Sequence, residues 1–299
     1  MAGFSIQEAA FGGFAAVRAH PRALLVWTPL AFVVSLASQV VFVQSGGQEV
    51  DWSVLGQDPA RLTALAEKVA PAEAALMAVV LVANAFIQPA MIRLVFAPDN
   101  GRFGYFRIGA HELRQLGLEI LASIVLLGGY FGCALVVSIA VAAISGLGNP
   151  AIMTALTAGM AATLIALLVI GVRLSLAPAL TFDSGRVNLF GSWRLTQGSF
   201  WPLLGTYVLT IALAAVVLIF ANVLFFGLAE LVLGREMTVL TATPGDLIGY
   251  FTPLRLIAAL FSAFVTALIW PVIFTPSAHI YRSLKPAPAY FGPGPQPWA

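Results

Sequence analysis

Long apolar runs separated by short polar interruptions dominate the chain. Six of them reach the roughly 20 mostly apolar residues that a helix needs to cross a hydrocarbon core. They cover residues 23–43, 76–96, 116–145, 151–182, 200–233 and 253–275. Apolarity within each run is continuous rather than alternating. The pattern therefore predicts helices and argues against a membrane β-barrel, whose strands alternate over about ten residues. The fifth run is long for one crossing and predicts a tilted span or a bend near Gly227. The predicted fold class is all-α integral membrane, a six-span helical bundle.

The segments between the runs repeat in kind. Spans one, three and five each follow a segment with aromatic residues and arginine: 11–18 with Phe11, Phe14 and Arg18, 106–114 with Phe106, Arg107 and Arg114, and 189–194 with Phe190, Trp193 and Arg194. Spans two, four and six each carry a proline near one end, at Pro89, Pro178 and Pro276. A membrane domain over 1–285 is thus predicted to hold three pseudo-repeats, about 1–98, 99–183 and 184–285. Each would be an interfacial helix followed by a transmembrane hairpin. The Pro- and Gly-rich stretch 286–299 cannot build a core and predicts a mobile tail.

The middle segment carries the sharpest local pattern. At 100° per residue, Phe103, Phe106, Ala110, Leu113, Leu116 and Ile120 fall on one side of a helix. Arg107, His111, Glu112, Arg114, Gln115 and Glu119 fall on the other. Such an amphipathic helix suits the headgroup layer with its apolar face down. It equally suits an elbow packed on the spans, and the wheel alone does not choose. Helices in the first and third segments are expected by analogy with the second. On the opposite side, Asp58-Pro59 predicts a capped short helix over 60–69, and 145–151 reads as a tight turn. The spacings Gly128…Gly132 and Ala155…Gly159 favour close helix packing.

Composition narrows the function classes. Hydrophobic residues make up 60% of the chain and charged residues 9%, with a mean hydropathy of +0.94. A soluble domain is about 25% charged, so this chain cannot coat a globule in water. A net charge of +2 without a basic run gives no field for nucleic acid. Cys133 stands alone, which excludes an intramolecular disulfide. No cleavable signal-peptide pattern opens the chain. His20, His111 and His279 lack metal-ligand spacing, and no catalytic or phosphate-cradling motif occurs. No cofactor, no metal and no enzymatic activity are expected.

Lysine and arginine set the threading. With the N-terminus inside, eleven basic residues lie on the inner side and four, Arg61, Lys68, Arg235 and Arg255, on the outer side. Both termini are therefore expected on the cytoplasmic side of the membrane. Polar residues inside spans are the default functional candidates. Here they are Arg173, Asn84, Gln88, Asn222 and Glu230. Arg107, Arg114, Arg194 and Trp193 are the candidate lipid-headgroup contacts, and Arg93 reads as an inner boundary marker.

The stretch Gly191-Ser-Trp-Arg-Leu-Thr-Gln-Gly-Ser-Phe-Trp-Pro-Leu-Leu-Gly205 follows the proline-containing span end at 177–183. It resembles a signature of the multi-pass membrane domain fused to some bacterial glycerophosphodiester phosphodiesterases, and of that domain's stand-alone relatives. The layout matches over most of the chain, and specific residues match over about 174–205. The resemblance implies a helical six-span inner-membrane protein and no catalysis, since the phosphodiesterase barrel is a separate soluble domain.

The first functional expectation is a non-enzymatic membrane protein that organises the cytoplasmic leaflet or serves as a partner subunit. Its expected partners are the lipid bilayer and a membrane or cytoplasmic protein, not nucleic acid. The second expectation is a transporter or lipid-moving protein with a cavity between the repeats. A cavity lined by Arg173, Asn84 and Asn222 would favour the second, and a dry packed interior the first.

Overall fold

The structure is a computed structural model that describes residues 4–44, 59–99, 101–144, 149–234 and 247–285. Among the described residues every regular element is helical. In chain order these are α1 (Ile6–Ala19), α2 (Leu24–Gln44), α3 (Pro59–Phe96), α4 (Ala110–Ala143), α5 (Asn149–Leu174), α6 (Ala177–Ser184), α7 (Leu189–Leu195), α8 (Phe200–Leu233), α9 (Leu247–Tyr250) and α10 (Pro253–Leu284). Single 3-10 turns occupy Pro21–Ala23 and Arg102–Tyr105. Six helical stretches are long and apolar enough to cross a membrane, so the chain is a multi-pass membrane protein.

The expected short helix over 60–69 is the start of α3, which runs on through Pro71 and Pro89. Its Asp58 cap, the 286–299 tail and most of the 145–151 turn lie outside the described residues. The fifth span is one continuous helix through Gly227. The fourth span, by contrast, breaks between α5 and α6. Pro178 has no N–H to donate and its ring clashes with the carbonyl four residues back. The freed groups find a side chain: Ser192 Oγ donates to Arg173 O (2.7 Å) and accepts from Leu176 N–H (3.2 Å). A serine on a neighbouring helix thus satisfies a backbone break at membrane depth.

Packing follows a cyclic order. α3 packs on α2 and on α4, and α5 with α6 packs on α4 and on α7 and α8. α10 packs on α8 and on α1 and α2. Each returning span therefore touches its own hairpin partner and the segment that opens the next unit. The three returning spans also meet one another, where Ile92 and Val95 of α3, Phe182 of α6 and Ala278 of α10 form one buried cluster. This junction lies at the end of the bundle that carries α1, α7 and the chain near Lys285; we call it the basic end.

α1 is seated on α10 with almost no side chain between them. A Cβ added at Gly13 would stand 2.5 Å from Pro271 O, and one at Gly12 would stand 2.6 Å from His279 Nε2. Ser5 Oγ accepts from Glu8 N–H and caps the helix (3.3 Å). The middle segment takes another form. Phe103, Gly104 and Tyr105 all have positive φ (50°, 61° and 69°), a conformation that costs a non-glycine residue about 1–2 kcal/mol. Tertiary bonds hold it: Trp27 Nε1 donates to Gly104 O (2.8 Å), Arg93 Nη1 to Tyr105 O (3.2 Å), and the Tyr105 hydroxyl to Pro98 O (2.7 Å).

Candidate functional site

The middle segment is helical only from Ala110 onward, so Phe103 and Phe106 lie outside the helix expected to begin there. Its orientation is that of an elbow, with the polar side facing the bundle. Glu112 and Gln115 are 4% and 1% exposed, whereas Leu113 is 72% exposed. The spacing of Glu112, Gln115 and Glu119 places all three on one stripe, and that stripe faces α3. Arg93 Nη2 bonds Glu112 Oε1 at 2.5 Å, with both side chains buried. One helical turn and a half further in, Gln88 Nε2 donates to Glu119 Oε1 (2.6 Å) and Gln115 Nε2 donates to Gln88 Oε1 (2.8 Å). A second donation from Gln115 reaches Glu119 Oε1 at 3.4 Å.

Around this lattice the junction is aromatic and charged. The Arg93 guanidinium lies 5.3 Å from the Phe182 ring centre, and the His111 ring packs 4.6 Å from the same centre. Phe96 touches both Phe182 and Tyr281. The Tyr281 hydroxyl donates to Asp183 Oδ2 (2.7 Å), which Lys285 Nζ also reaches at 2.7 Å. Arg282 Nη1 donates to Val95 O (3.1 Å). The three returning spans are therefore tied at the basic end by charged hydrogen bonds as well as by apolar contact, and such bonds are roughly twice as strong as neutral ones.

Beyond the lattice lies a cavity of about 320 Å³, bounded by α3, α4, α5 with α6, α7, α8 and α10. Leu118, Ala122, Leu126, Leu174, Ile211 and Ile273 give it apolar walls. Gln88, Glu119, Ser175, Tyr207, Thr210 and Ser277 give it polar points. Thr210 is 2% exposed and its hydroxyl has no hydrogen-bond partner. The Tyr207 hydroxyl also makes no bond of acceptable geometry; neighbouring Ser175 Oγ donates instead to Val172 O (2.8 Å). Buried hydroxyls normally find partners, so these two stand apart from the paired groups of the lattice. Ile211 both lines the cavity and is 64% exposed, which places a mouth on the lipid-facing side beside α8.

Of the polar candidates within spans, the structure brings only Gln88 to the cavity. Arg173 ends α5 and closes a junction: its Nη1 donates to Thr196 O (2.5 Å), and its guanidinium lies over Trp193 (5.9 Å) and Phe200 (5.5 Å). Asn84 is half-buried on α3, outside the cavity lining. Asn222 Nδ2 donates to Leu218 O of its own helix (2.8 Å), and Glu230 is exposed on α8. Arg107, Arg194 and Trp193 are exposed at the basic end and Arg114 is half-buried there. The packing glycines Gly128 and Gly132 meet nothing within 4 Å, so that spacing seals no helix pair among the described residues; Gly159 does pack, against Val137.

Sequence reasoning did not pick out Glu119, Tyr207 or Thr210 as a site, and it read Arg93 as a boundary marker. A signal was present for the first: a polar stripe at intervals of three and four continuing into an apolar run is costly unless a neighbour answers it. Tyr207 and Thr210 gave none, because hydroxyls in a span usually bond their own backbone. Among the described residues no group of three or more His, Cys, Asp or Glu is arranged to hold a metal ion. No family model matches the chain, and neither the curated proteins nor the solved structures contain a match.

Proposed function

We propose that this multi-pass chain is a non-enzymatic protein of a bacterial inner membrane that binds and organises the cytoplasmic leaflet, with both termini in the cytoplasm. The observation that carries this reading is the surface of the basic end. Phe11, Phe103, Ile108, Phe190, Trp193 and Trp201 are all exposed there, drawn from all three inner segments. Arg18, Arg22, Arg107, Arg186 and Arg194 are exposed among them. Large apolar side chains interleaved with arginine match the boundary between acyl chains and anionic headgroups, where each arginine contributes about 1 kcal/mol of attraction. The cyclic packing of the hairpins supports reading the chain as three repeats that present this surface on every side. The serine that mends the Pro178 break gives a physical reason for the Ser-Trp segment on which the family resemblance rests.

The transporter reading is second. The cavity that would favour it exists, but Arg173, Asn84 and Asn222 do not line it.

The test is the composition of lipid retained by the full chain in nanodiscs of mixed phosphatidylglycerol and phosphatidylcholine, read by native mass spectrometry. Phosphatidylglycerol enrichment is expected, falling several-fold in the triple variant Arg107→Glu, Arg114→Glu, Arg194→Glu. Retained lipid with the bulk ratio in the parent chain would overturn the reading.

A further inference from the structure

The cavity beside α8 holds a carboxylate that no cation among the described residues answers. Glu119 lies nine residues into α4, about 13 Å along the axis at 1.5 Å per residue. The neutral amides of Gln88 and Gln115 both donate to the same oxygen, Oε1. Among the described residues no lysine, arginine or histidine lines the cavity. The nearby arginine, Arg93, is occupied by Glu112. Glu119 is half-buried, and among the described residues its carboxylate takes neutral donors and no cation, so a positive charge brought into the cavity supplies the partner it lacks. The same cavity is lined by the Thr210 hydroxyl, which has no partner, and by the Tyr207 hydroxyl beside Ser175. Each offers lone pairs to an N–H donor.

Size and walls define the rest of the occupant. About 320 Å³ is at the lower end of the roughly 300–1,000 Å³ range of small-molecule pockets. That accommodates one slender molecule, not a lipid with two chains. The walls are aliphatic, and the mouth at Ile211 opens toward lipid. An amphiphile already in the bilayer can enter sideways past Ile211.

We propose that this cavity binds a single-tailed amphiphile with a primary ammonium head, held by Glu119 as counter-ion and by the Tyr207 and Thr210 hydroxyls as acceptors, with its tail along Leu118, Ala122 and Ile211. This binding is independent of the surface reading above: it uses none of the residues at the basic-end surface, and either can fail while the other stands.

The test is saturable binding of dodecylammonium to the full chain in phosphatidylcholine nanodiscs, corrected for uptake by empty nanodiscs. Dodecanol and dodecyl sulfate are run in parallel. Dodecylammonium is expected to saturate, and the neutral and anionic analogues to bind about tenfold more weakly or not at all. Glu119→Gln keeps an acceptor for both amides but removes the charge, and it should weaken dodecylammonium about tenfold or more. Gly171 lines the cavity, and a Cβ added there meets nothing within 4 Å. Gly171→Leu should therefore fill the space, leave the melting temperature unchanged and abolish binding. Phosphatidylethanolamine, whose phosphate would be pressed against Glu119, should not compete. Equal affinity for dodecanol, unchanged binding in Glu119→Gln, binding retained in Gly171→Leu, or displacement by phosphatidylethanolamine would each overturn the assignment.

Discussion

The two halves of the bundle are built to different standards. In the half nearest the basic end, Trp27, Met91, Leu118, Leu176, Leu203 and Ile280 are essentially inaccessible, and Arg93, Glu112, Gln88, Gln115 and Ser192 are hydrogen-bonded between helices. In the far half, α4, α5 and α8 expose most of their length, with large side chains such as Phe131, Ile139, Met160 and Phe220 facing outward. Apolar openings of about 460 Å³ between α2 and α3, and about 480 Å³ among α3, α4 and α5, interrupt the packing there. Lipid is as apolar as leucine, so nothing drives the far halves of the helices together once they are in the bilayer. The near half is held by what lipid cannot offer, namely hydrogen bonds, an ion pair and backbone contact through glycine. Polar groups here define the association, and apolar surface merely permits it.

The sharpest way to break this contrast is to unpair the buried ion pair. Glu112→Ala leaves the Arg93 guanidinium buried without its counter-charge and is expected to cost about 3–5 kcal/mol. Thermal unfolding in nanodiscs, followed by tryptophan emission, checks it. A melting temperature equal to the parent's would show that the junction does not depend on this pair. Next in size is Gly13→Ala. Its new Cβ would collide with the backbone of α10 at Pro271, which cannot rotate away. Overpacking of this kind costs about 1–3 kcal/mol. Because α1 must move, Trp27 and the surrounding core should become more accessible to a membrane-permeant quencher. The far half supplies the smallest effect. Gly128→Ala and Gly132→Ala add methyls to open space, and higher helix propensity should leave stability unchanged or raise it by up to about 1 kcal/mol. A marked loss of stability in either variant would reveal a helix contact in the far half and narrow the contrast.

Resolving that contrast shows which inferences a linear chain supports. The number of spans and the solvent they need were legible because each depends on the length of one continuous apolar run, a property of consecutive residues. The Ser-Trp segment was also visible in the sequence, but its purpose was not. Ser192 matters because Pro178, fourteen residues earlier, opens a gap in the backbone that folding places beside it. The prolines looked alike in the sequence. Only Pro178 accompanies a break, while Pro89, Pro271 and Pro276 sit inside continuous helices.

By itself, the order of residues determined that the chain threads a bilayer six times and that α4 begins with one polar and one apolar face. A helical wheel has no preferred orientation until something stands beside it. Tertiary structure supplied that neighbour: Gln88 and Arg93 on α3 turn Glu112, Gln115 and Glu119 inward, leaving Leu113 to lipid. The cavity was decided at the same level, because Glu119, Tyr207 and Thr210 come from different helices and acquire a shared environment only when the hairpins close around them.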